Sequence, residues 1–316
     1  MKRFALIGSG NIACKHAGNL RKLRCLPVFL CSSGTKKSMT FRKNYEFENF
    51  TSCYTDIKDI DFVVVATPSP THFEIVKHFI AKKIPVFCEK PLVTNRQDAM
   101  ELKKIILSET PLVYVNFQLR YKKVFKRVKE LLKSGKLGTF RAGWVIKGRE
   151  MPSKDWYHQD SNVALELGIH YLDLFQWLLD KNVQELAIKR IDNKFTDDNV
   201  FVWASFDHNQ ELSVVNSFTY PYMQEQFVVI GTEKYLAMRN GNIQIRDIDK
   251  RRGVKSFFQD YFSGFGIEFS YFSQRAHYDS LKYFLEVLGD SKPRKELVGD
   301  TLEGLSLLEK VLQYYL

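Results

Sequence analysis

The stretch Lys2-Arg3-Phe4-Ala5-Leu6-Ile7, continued by Gly8-Ser9-Gly10-Asn11-Ile12-Ala13, decides how this chain is read. Phe4–Ile7 has the length and apolar content of a short buried strand. The six residues after it fit G-x-G-x-x-[GA], and helix-like sequence follows from Lys15 to Leu23. Strand, glycine turn and helix in that order suit a dinucleotide pyrophosphate. Gly8 permits the tight turn, Gly10 lets the backbone approach the phosphates, and Ala13 lets the helix pack closely on the strand. The helix N-terminus meets the negative charge, which makes Ser9, Asn11 and Ile12 candidate cofactor residues too. Glycine turns are common; the position directly after an N-terminal strand makes this one a candidate cofactor site.

Outward from this turn, strand-like and helix-like segments alternate to about residue 118. Further strands are expected at Pro27–Cys31, Phe62–Ala66, Pro85–Glu89 and Leu112–Asn116, with helices at Thr71–Ala81 and Arg96–Leu107. Phe62-Val63-Val64-Val65-Ala66 is apolar throughout, as a central strand covered on both faces requires. The fold class expected is α/β, with a doubly wound parallel Rossmann sheet over residues 1–118. The rhythm then changes. Helices are expected at Val124–Lys133 and Val163–Leu179 and a strand at Phe140–Lys147. Consecutive strands follow at Glu185–Ile191, Val200–Phe206, Glu211–Phe218, Gln226–Ile230, Tyr235–Arg239 and Gly241–Arg246. Tyr278–Leu288 and Leu302–Tyr314 close the chain as helices. Residues 119–316 therefore read as a second α/β domain with a large, open, mainly antiparallel sheet, serving substrate binding and oligomerisation.

With 316 residues, 45% hydrophobic and 26% charged, the chain has the composition of a globular enzyme rather than a disordered segment. No apolar run approaches the ~18–20 residues of a membrane span, and the start lacks the h-region of a signal peptide, so a cytoplasmic location is the expectation. The net charge of +11 fits a basic solvated surface or an acidic ligand. No long Lys/Arg tract and no recognisable motif supports nucleic acid as the partner. Cys14, Cys25, Cys31, Cys53 and Cys88 are odd in number and form no C-x-x-C, which favours reduced thiols over disulfides or a metal site. An open sheet needs covering, so a homodimer or homotetramer is expected.

Four features behind the glycine turn carry chemistry. After the second strand, Cys31-Ser32-Ser33-Gly34-Thr35-Lys36-Lys37 lacks the carboxylate that bonds an NAD ribose. Ser32, Ser33, Lys36 and Lys37 suit a 2′-phosphate instead, so NADP is favoured over NAD. Ala66, Thr67 and Pro68 begin a loop at the end of the central strand that borders the cofactor crevice; Thr71 is a candidate helix cap and His72 a candidate cofactor residue. Glu89-Lys90-Pro91 ends another strand, where a lysine beside a cationic nicotinamide has its proton loosened. On a regular helix, Glu166, His170 and Asp173 share one face at i,i+4 and i,i+3. Such a histidine can be oriented and made more basic by its carboxylates, and Gly168 between them points to a close neighbour.

Gly8-x-Gly10, Ala66-x-Pro68-x-x-x-His72, Glu89-Lys90-Pro91 and Gly168-x-His170-x-x-Asp173, in this order and spacing, resemble the glucose–fructose oxidoreductase/inositol dehydrogenase (Gfo/Idh/MocA) family over nearly the whole chain. The resemblance implies a Rossmann domain followed by an α/β domain whose open sheet forms the substrate floor and often the dimer face. It implies that Lys90 contacts substrate and nicotinamide, that the Lys90–Pro91 bond is cis, and that His170 lies near the reacting carbinol. Within the family, Phe4–Gly8, Tyr114–Arg120 and Gly168–Asp173 are similar to the branch that oxidises C3 of nucleotide-linked amino-sugar uronates. The chain departs from the family pattern at Glu166, where many members have Asp. It departs again at Asp160-Ser161-Asn162-Val163, where many have a glycine-rich approach.

The expected activity is hydride transfer between a nicotinamide and a secondary alcohol of a sugar, inositol or nucleotide sugar. Lys90 and His170 handle the proton, in either assignment, with Glu166 or Asp173 orienting His170. Gln118 joins the cofactor set, and Arg120, Trp156, Tyr157 and Arg275 are candidates for the substrate wall. The alternatives are a catalytically silent cofactor-binding regulator and a glycoside hydrolase that retains NAD.

Overall fold

A computed structural model describes residues 1–150, 163–192, 198–207, 209–239, 242–248, 275–289 and 292–315. The chain divides into two compact units, Met1–Tyr121 with Gln274–Leu316, and Lys122–Ser273.

The first unit is built on a six-stranded sheet of order β3-β2-β1-β4-β5-β6, with all pairings parallel. Its strands are β1 (Arg3–Ile7), β2 (Leu26–Cys31), β3 (Asn49–Thr51), β4 (Phe62–Val65), β5 (Val86–Cys88) and β6 (Val113–Val115). The Phe-Val-Val-Val of β4 is buried at every position, because strands flank it and helices cover both faces. Helices α1 (Asn11–Lys22), α2 (Lys36–Asn44), α3 (His72–Ala81) and α4 (Arg96–Glu109) connect the strands. The Asn95 side chain caps α4 by accepting from the Asp98 amide at 2.8 Å.

Two elements were invisible in the sequence. Helix α2 buries only Ser38 and Phe41, too little for an apolar period, and β3 is three residues long at the sheet edge. The domain assignment also differs. The C-terminal helices α7 (Arg275–Gly289) and α8 (Lys292–Leu312) belong to the first unit, not to the second domain expected over residues 119–316. Leu281, Phe284 and Val287 of α7 complete the core made by Phe4, Phe62 and Phe87, with Phe284 edge-on to both Phe62 (5.6 Å) and Phe87 (5.5 Å). The Thr301 hydroxyl of α8 donates to the Val113 carbonyl at 2.7 Å. Burying this apolar stripe requires the sheet, and nothing in the local sequence names which sheet.

The second unit has a seven-stranded sheet of order β13-β12-β11-β7-β10-β9-β8, antiparallel except for β10 against β7. The strands are β7 (Phe140–Glu150), β8 (Glu185–Ile191), β9 (Asn199–Asp207), β10 (Gln210–Ser217), β11 (Thr219–Gly231), β12 (Lys234–Arg239) and β13 (Asn242–Asp247). Helices α5 (Lys123–Lys133) and α6 (Ile169–Leu179) cover one face. Phe175 of α6 lies 5.2 Å from Phe227, and Phe125 of α5 is at the same distance from that ring. The Phe175 ring sits so close to β7 that a Cβ at Gly143 would stand 2.6 Å from it. Trp144, Ile146 and Phe201 remain exposed, and Trp144, Val228, Ile230, Tyr235, Ala237 and Ile248 line an apolar hollow of about 370 Å³. No described helix is long and apolar enough to cross a membrane.

Candidate active site

In the first unit the ends of β1, β4 and β5 lie side by side, because these strands are sheet neighbours. Gly8 has φ +109°, and a Cβ there would stand 2.4 Å from the Ala66 carbonyl oxygen, so the turn demands glycine twice over. Gly10 is different: an added Cβ would meet nothing within 4 Å. It caps α1 without a side-chain hydrogen bond, and the first turn of α1 carries no acidic residue. The amides that open α1 thus face an open, electropositive helix end, which fits a dinucleotide pyrophosphate.

The Ser9 and Ser32 hydroxyls are 2.8 Å apart, tying the glycine turn to the end of β2. Ser32 is partly accessible and Ser33, Lys36 and Lys37 are exposed. Lys36 and Lys37 form the first turn of α2, whose amide at Ser38 donates to the capping Thr35 hydroxyl at 3.3 Å.

The loop after β4 is stapled from below. His72 is 1% exposed, with Nδ1 2.8 Å from the Pro91 carbonyl and Nε2 3.0 Å from that of Thr67. Burial lowers its pKa, and the neutral ring, which carries one N–H, donates to one of these two oxygens. His72 therefore joins the Ala66-Thr67-Pro68 loop to the Lys90 turn and does not face a ligand. Thr71 takes the N-cap position of α3 without a side-chain capping bond; its hydroxyl turns back to Thr67 Oγ1 (2.7 Å) and the Pro68 carbonyl (2.8 Å) across a single 3₁₀ turn.

Lys90 follows β5 and is partly accessible, and the Lys90–Pro91 peptide is cis. Beside it, Glu89 is held from two sides. His16 Nε2 of α1 is 2.6 Å from Glu89 Oε1, and Asn116 Nδ2 donates to the same oxygen at 2.7 Å. Burial alone would raise the Glu89 carboxyl, but the His16 hydrogen bond, His277 and Asn116 together hold it down at about 2. Asn116 Nδ2 also lies 3.3 Å from His277 Nδ1 of α7, and the Ser280 hydroxyl donates to Asn116 Oδ1 at 2.7 Å. Donor atoms of His16, Glu89 and His277 converge within 4.8 Å. The 2.6 Å separation is a hydrogen bond, since two tetrahedral zinc ligands would stand roughly 3.3 Å apart. None of His16, Asn116 and His277 was picked out from the sequence. The available signal was a polar ring on the otherwise apolar Ala13, Ala17, Leu20 stripe of α1. Cys88, next to Glu89, is fully buried, and desolvation pushes its thiol well up, so it is inert.

In the second unit, the expected Val163–Leu179 helix begins with a π turn, Ala164–Gly168, before α6. The wider turn shifts register by one residue, so the i,i+4 geometry read for Glu166 and His170 does not hold. Glu166 and His170 are partly accessible, whereas Asp173, at i,i+3 from His170 on α6, is 0% exposed. The neighbour that Gly168 accommodates is Asn216 of β10: a Cβ would stand 3.2 Å from its Oδ1. Asn216 is fully buried, and its amide finds no hydrogen-bond partner among the described residues. Under α6, the Tyr171 hydroxyl donates to Glu225 Oε1 at 2.5 Å, and Lys147 Nζ lies 3.8 Å from Glu225 Oε2. Burial lowers the pKa of both Lys147 and Lys122.

Residues 2–117 match the model of an oxidoreductase family with an NAD-binding Rossmann fold (GFO_IDH_MocA), and residues 125–237 match the GFO/IDH/MocA C-terminal domain. The chain belongs to the Gfo/Idh/MocA family. It is an oxidoreductase with an NAD-binding Rossmann domain. Among relatives, it is 23% identical over 248 residues to an uncharacterized oxidoreductase, YrbE, of Bacillus subtilis (strain 168), covering 74% of this chain and 73% of that protein. It is 34% identical over 137 residues to inositol 2-dehydrogenase 3 of Saccharopolyspora erythraea, covering 42% of this chain and 39% of that enzyme. The crystal structure of GenD2 from gentamicin A biosynthesis, in complex with NAD, superposes with TM-score 0.81 at 20% identity over 98% of this chain and 92% of that one.

Of the substrate-wall candidates of this Gfo/Idh/MocA chain, Arg120 and Arg275 are among the described residues. Arg120 is 9% exposed, lies 3.2 Å from Asp300 of α8 and sits over the Phe117 ring. Arg275 is exposed and pairs with Asp279 one turn along α7. Gln118 opens a 3₁₀ turn at the end of β6 and is partly accessible. Trp156 and Tyr157, with Asp160-Ser161-Asn162, lie outside the described residues.

Proposed function

We propose that this chain is an NAD(P)-dependent dehydrogenase that interconverts a secondary alcohol of a sugar, an inositol or a nucleotide sugar with its ketone, and that it prefers NADP. The observation that carries the reading is Lys90, partly accessible after the carboxyl end of β5, at the same end of the parallel sheet as the open Gly10 turn. The nicotinamide supplies the hydride acceptor at C4 when bound. His170 would take the hydroxyl proton while the carbinol C–H bond gives up its hydride to that acceptor, and Lys90 would hydrogen-bond the same oxygen and stabilise its developing negative charge. The two roles can be exchanged without changing the chemistry. Glu166 or Asp173 orients the His170 ring. The inositol dehydrogenase among the relatives supports a polyol or sugar substrate.

The preference for NADP rests on the β2–α2 connection. It offers the Ser32 and Ser33 hydroxyls, the N-terminus of α2 and the exposed Lys36 and Lys37, with no carboxylate between Cys31 and Lys37. Calorimetry on the purified protein should give tighter binding of NADP(H) than NAD(H), by about tenfold for one charge-assisted contact. Equal or tighter binding of NAD(H) would remove the preference. In a screen of inositols, hexoses and nucleotide sugars, Lys90→Met and His170→Ala should each lower turnover at least about a hundredfold while NADP still binds. Near-normal turnover in both variants would sink the mechanism. NAD retained through purification with no net reduction would favour the hydrolase reading instead. The exposed Trp144, Ile146 and Phe201 support a homodimer or homotetramer, which light scattering tests directly.

A further inference from the structure

We propose that His16, Asn116 and His277 are positioning residues for Lys90: they clamp Glu89 as a carboxylate and so fix the turn from which Lys90 projects. The proposal rests on the catalytic reading of Lys90. Glu89 immediately precedes Lys90, so any rotation of the Glu89 backbone swings the lysine. Three separate elements hold the Glu89 side chain or its partner: His16 comes from α1, Asn116 from the end of β6, and His277 from α7.

The hydrogen-bond directions are determined by chemistry. A carboxylate only accepts, so the Asn116 atom facing Glu89 is its NH₂ group, which leaves Oδ1 to accept from Ser280. The same NH₂ faces His277 Nδ1, so that nitrogen must present its lone pair. His16 Nε2 must donate to Glu89, and His16 Nδ1 is buried with no hydrogen-bond partner among the described residues, which favours the neutral Nε2–H ring. Both histidines are thus Nε2–H tautomers, each doing a different job through a different nitrogen. The clamp continues from Ser280 to the Tyr114 hydroxyl (2.8 Å), and from there to that of Tyr121 (2.8 Å). Tyr121 is the last residue of the first unit before the chain leaves it, and His277 lies just after the chain returns.

The test exploits the two nitrogens. Glutamine places an N–H where His Nε2 stands, and asparagine places an oxygen where His Nδ1 stands. His16→Gln and His277→Asn should therefore retain function, whereas His16→Asn, His16→Leu, His277→Gln and His277→Leu should not. Two readouts apply: kcat with myo-inositol or glucose and NAD or NADP, and deuterium exchange of the turn spanning residues 86–95, which needs no substrate. The failing variants should lose between about ten- and a hundredfold in kcat with the cofactor dissociation constant unchanged, and should exchange faster in the turn. Histidine ¹⁵N spectra should show both rings as Nε2–H tautomers. If His16→Leu and His277→Leu match the Gln and Asn variants in the turn's exchange, or if His16 proves to be Nδ1–H, the clamp is refuted. Lys90→Met separates the two readings: undiminished turnover there overturns the role of Lys90, while the exchange data still decide the clamp.

Discussion

Two turns, the β1–α1 turn of the first unit and the π turn before α6 in the second, both contain glycine, for different reasons. At Gly8 the obstacle is backbone: the Ala66 carbonyl of the adjacent strand occupies the place of a side chain, and φ is +109°. At Gly168 the obstacle is one amide side chain, Asn216, on a strand that follows dozens of residues later. At Gly10, by contrast, an added Cβ meets no obstacle within 4 Å among the described residues. A steric demand set by neighbouring strands is rigid, one set by a side chain can yield, and one set by a ligand shows only when the ligand is there.

The comparison can be broken by substituting each position. Gly8→Ala should have the largest effect, a destabilisation on the order of 2–5 kcal/mol from the left-handed backbone and the clash together, read from denaturant unfolding. A normal unfolding midpoint would show that the turn can relax. Gly10→Ala should leave that midpoint unchanged and weaken NADP(H) binding by about tenfold or more in calorimetry; undiminished affinity would mean that the phosphates do not approach this backbone. Glu89→Gln probes the layer beneath the first turn. Glu89 titrates at about 2 in the folded protein, below the ordinary carboxylate range, so its charge stabilises the fold above the unfolded pKa, and that contribution fades as pH falls through about 2. The stability gap between wild type and Glu89→Gln should close progressively as pH falls from the ordinary carboxylate range toward about 2. A gap that does not vary with pH would place the effect in packing instead of charge. Gly168→Ala should be smallest: the gain in helix propensity of about 1 kcal/mol offsets the cost of moving Asn216 by a few tenths of an ångström, leaving a net change within about 1 kcal/mol. A loss several times larger would make this turn as unyielding as the first.

Legibility in the sequence followed the same division. The glycine turn, the buried β4 run and the consecutive strands of the second sheet were readable, because each is written in neighbouring residues with a period of its own. Lys90 was readable as a lysine at a strand end. The Glu89 clamp was not: His16 is 73 positions from Glu89, and His277 is 161 from Asn116, so no spacing connects them. The π turn escaped because Ala-Leu-Glu-Leu-Gly reads as ordinary helix, and it changes the spacing between Glu166 and His170 while leaving His170 and Asp173 at i,i+3 on α6.

By itself the sequence determined the two sheet architectures and the dinucleotide-binding character of the first, since local sterics and hydrophobic period suffice for these. Only the tertiary structure decided that α7 and α8 complete the first unit, that His72 staples two loops, that Asp173 is buried, and that Glu89 is a clamped anion. Those outcomes depend on which distant apolar stripe fills which gap, and on where a buried polar group finds its hydrogen-bond partner. Neither is encoded within a few residues of the group concerned.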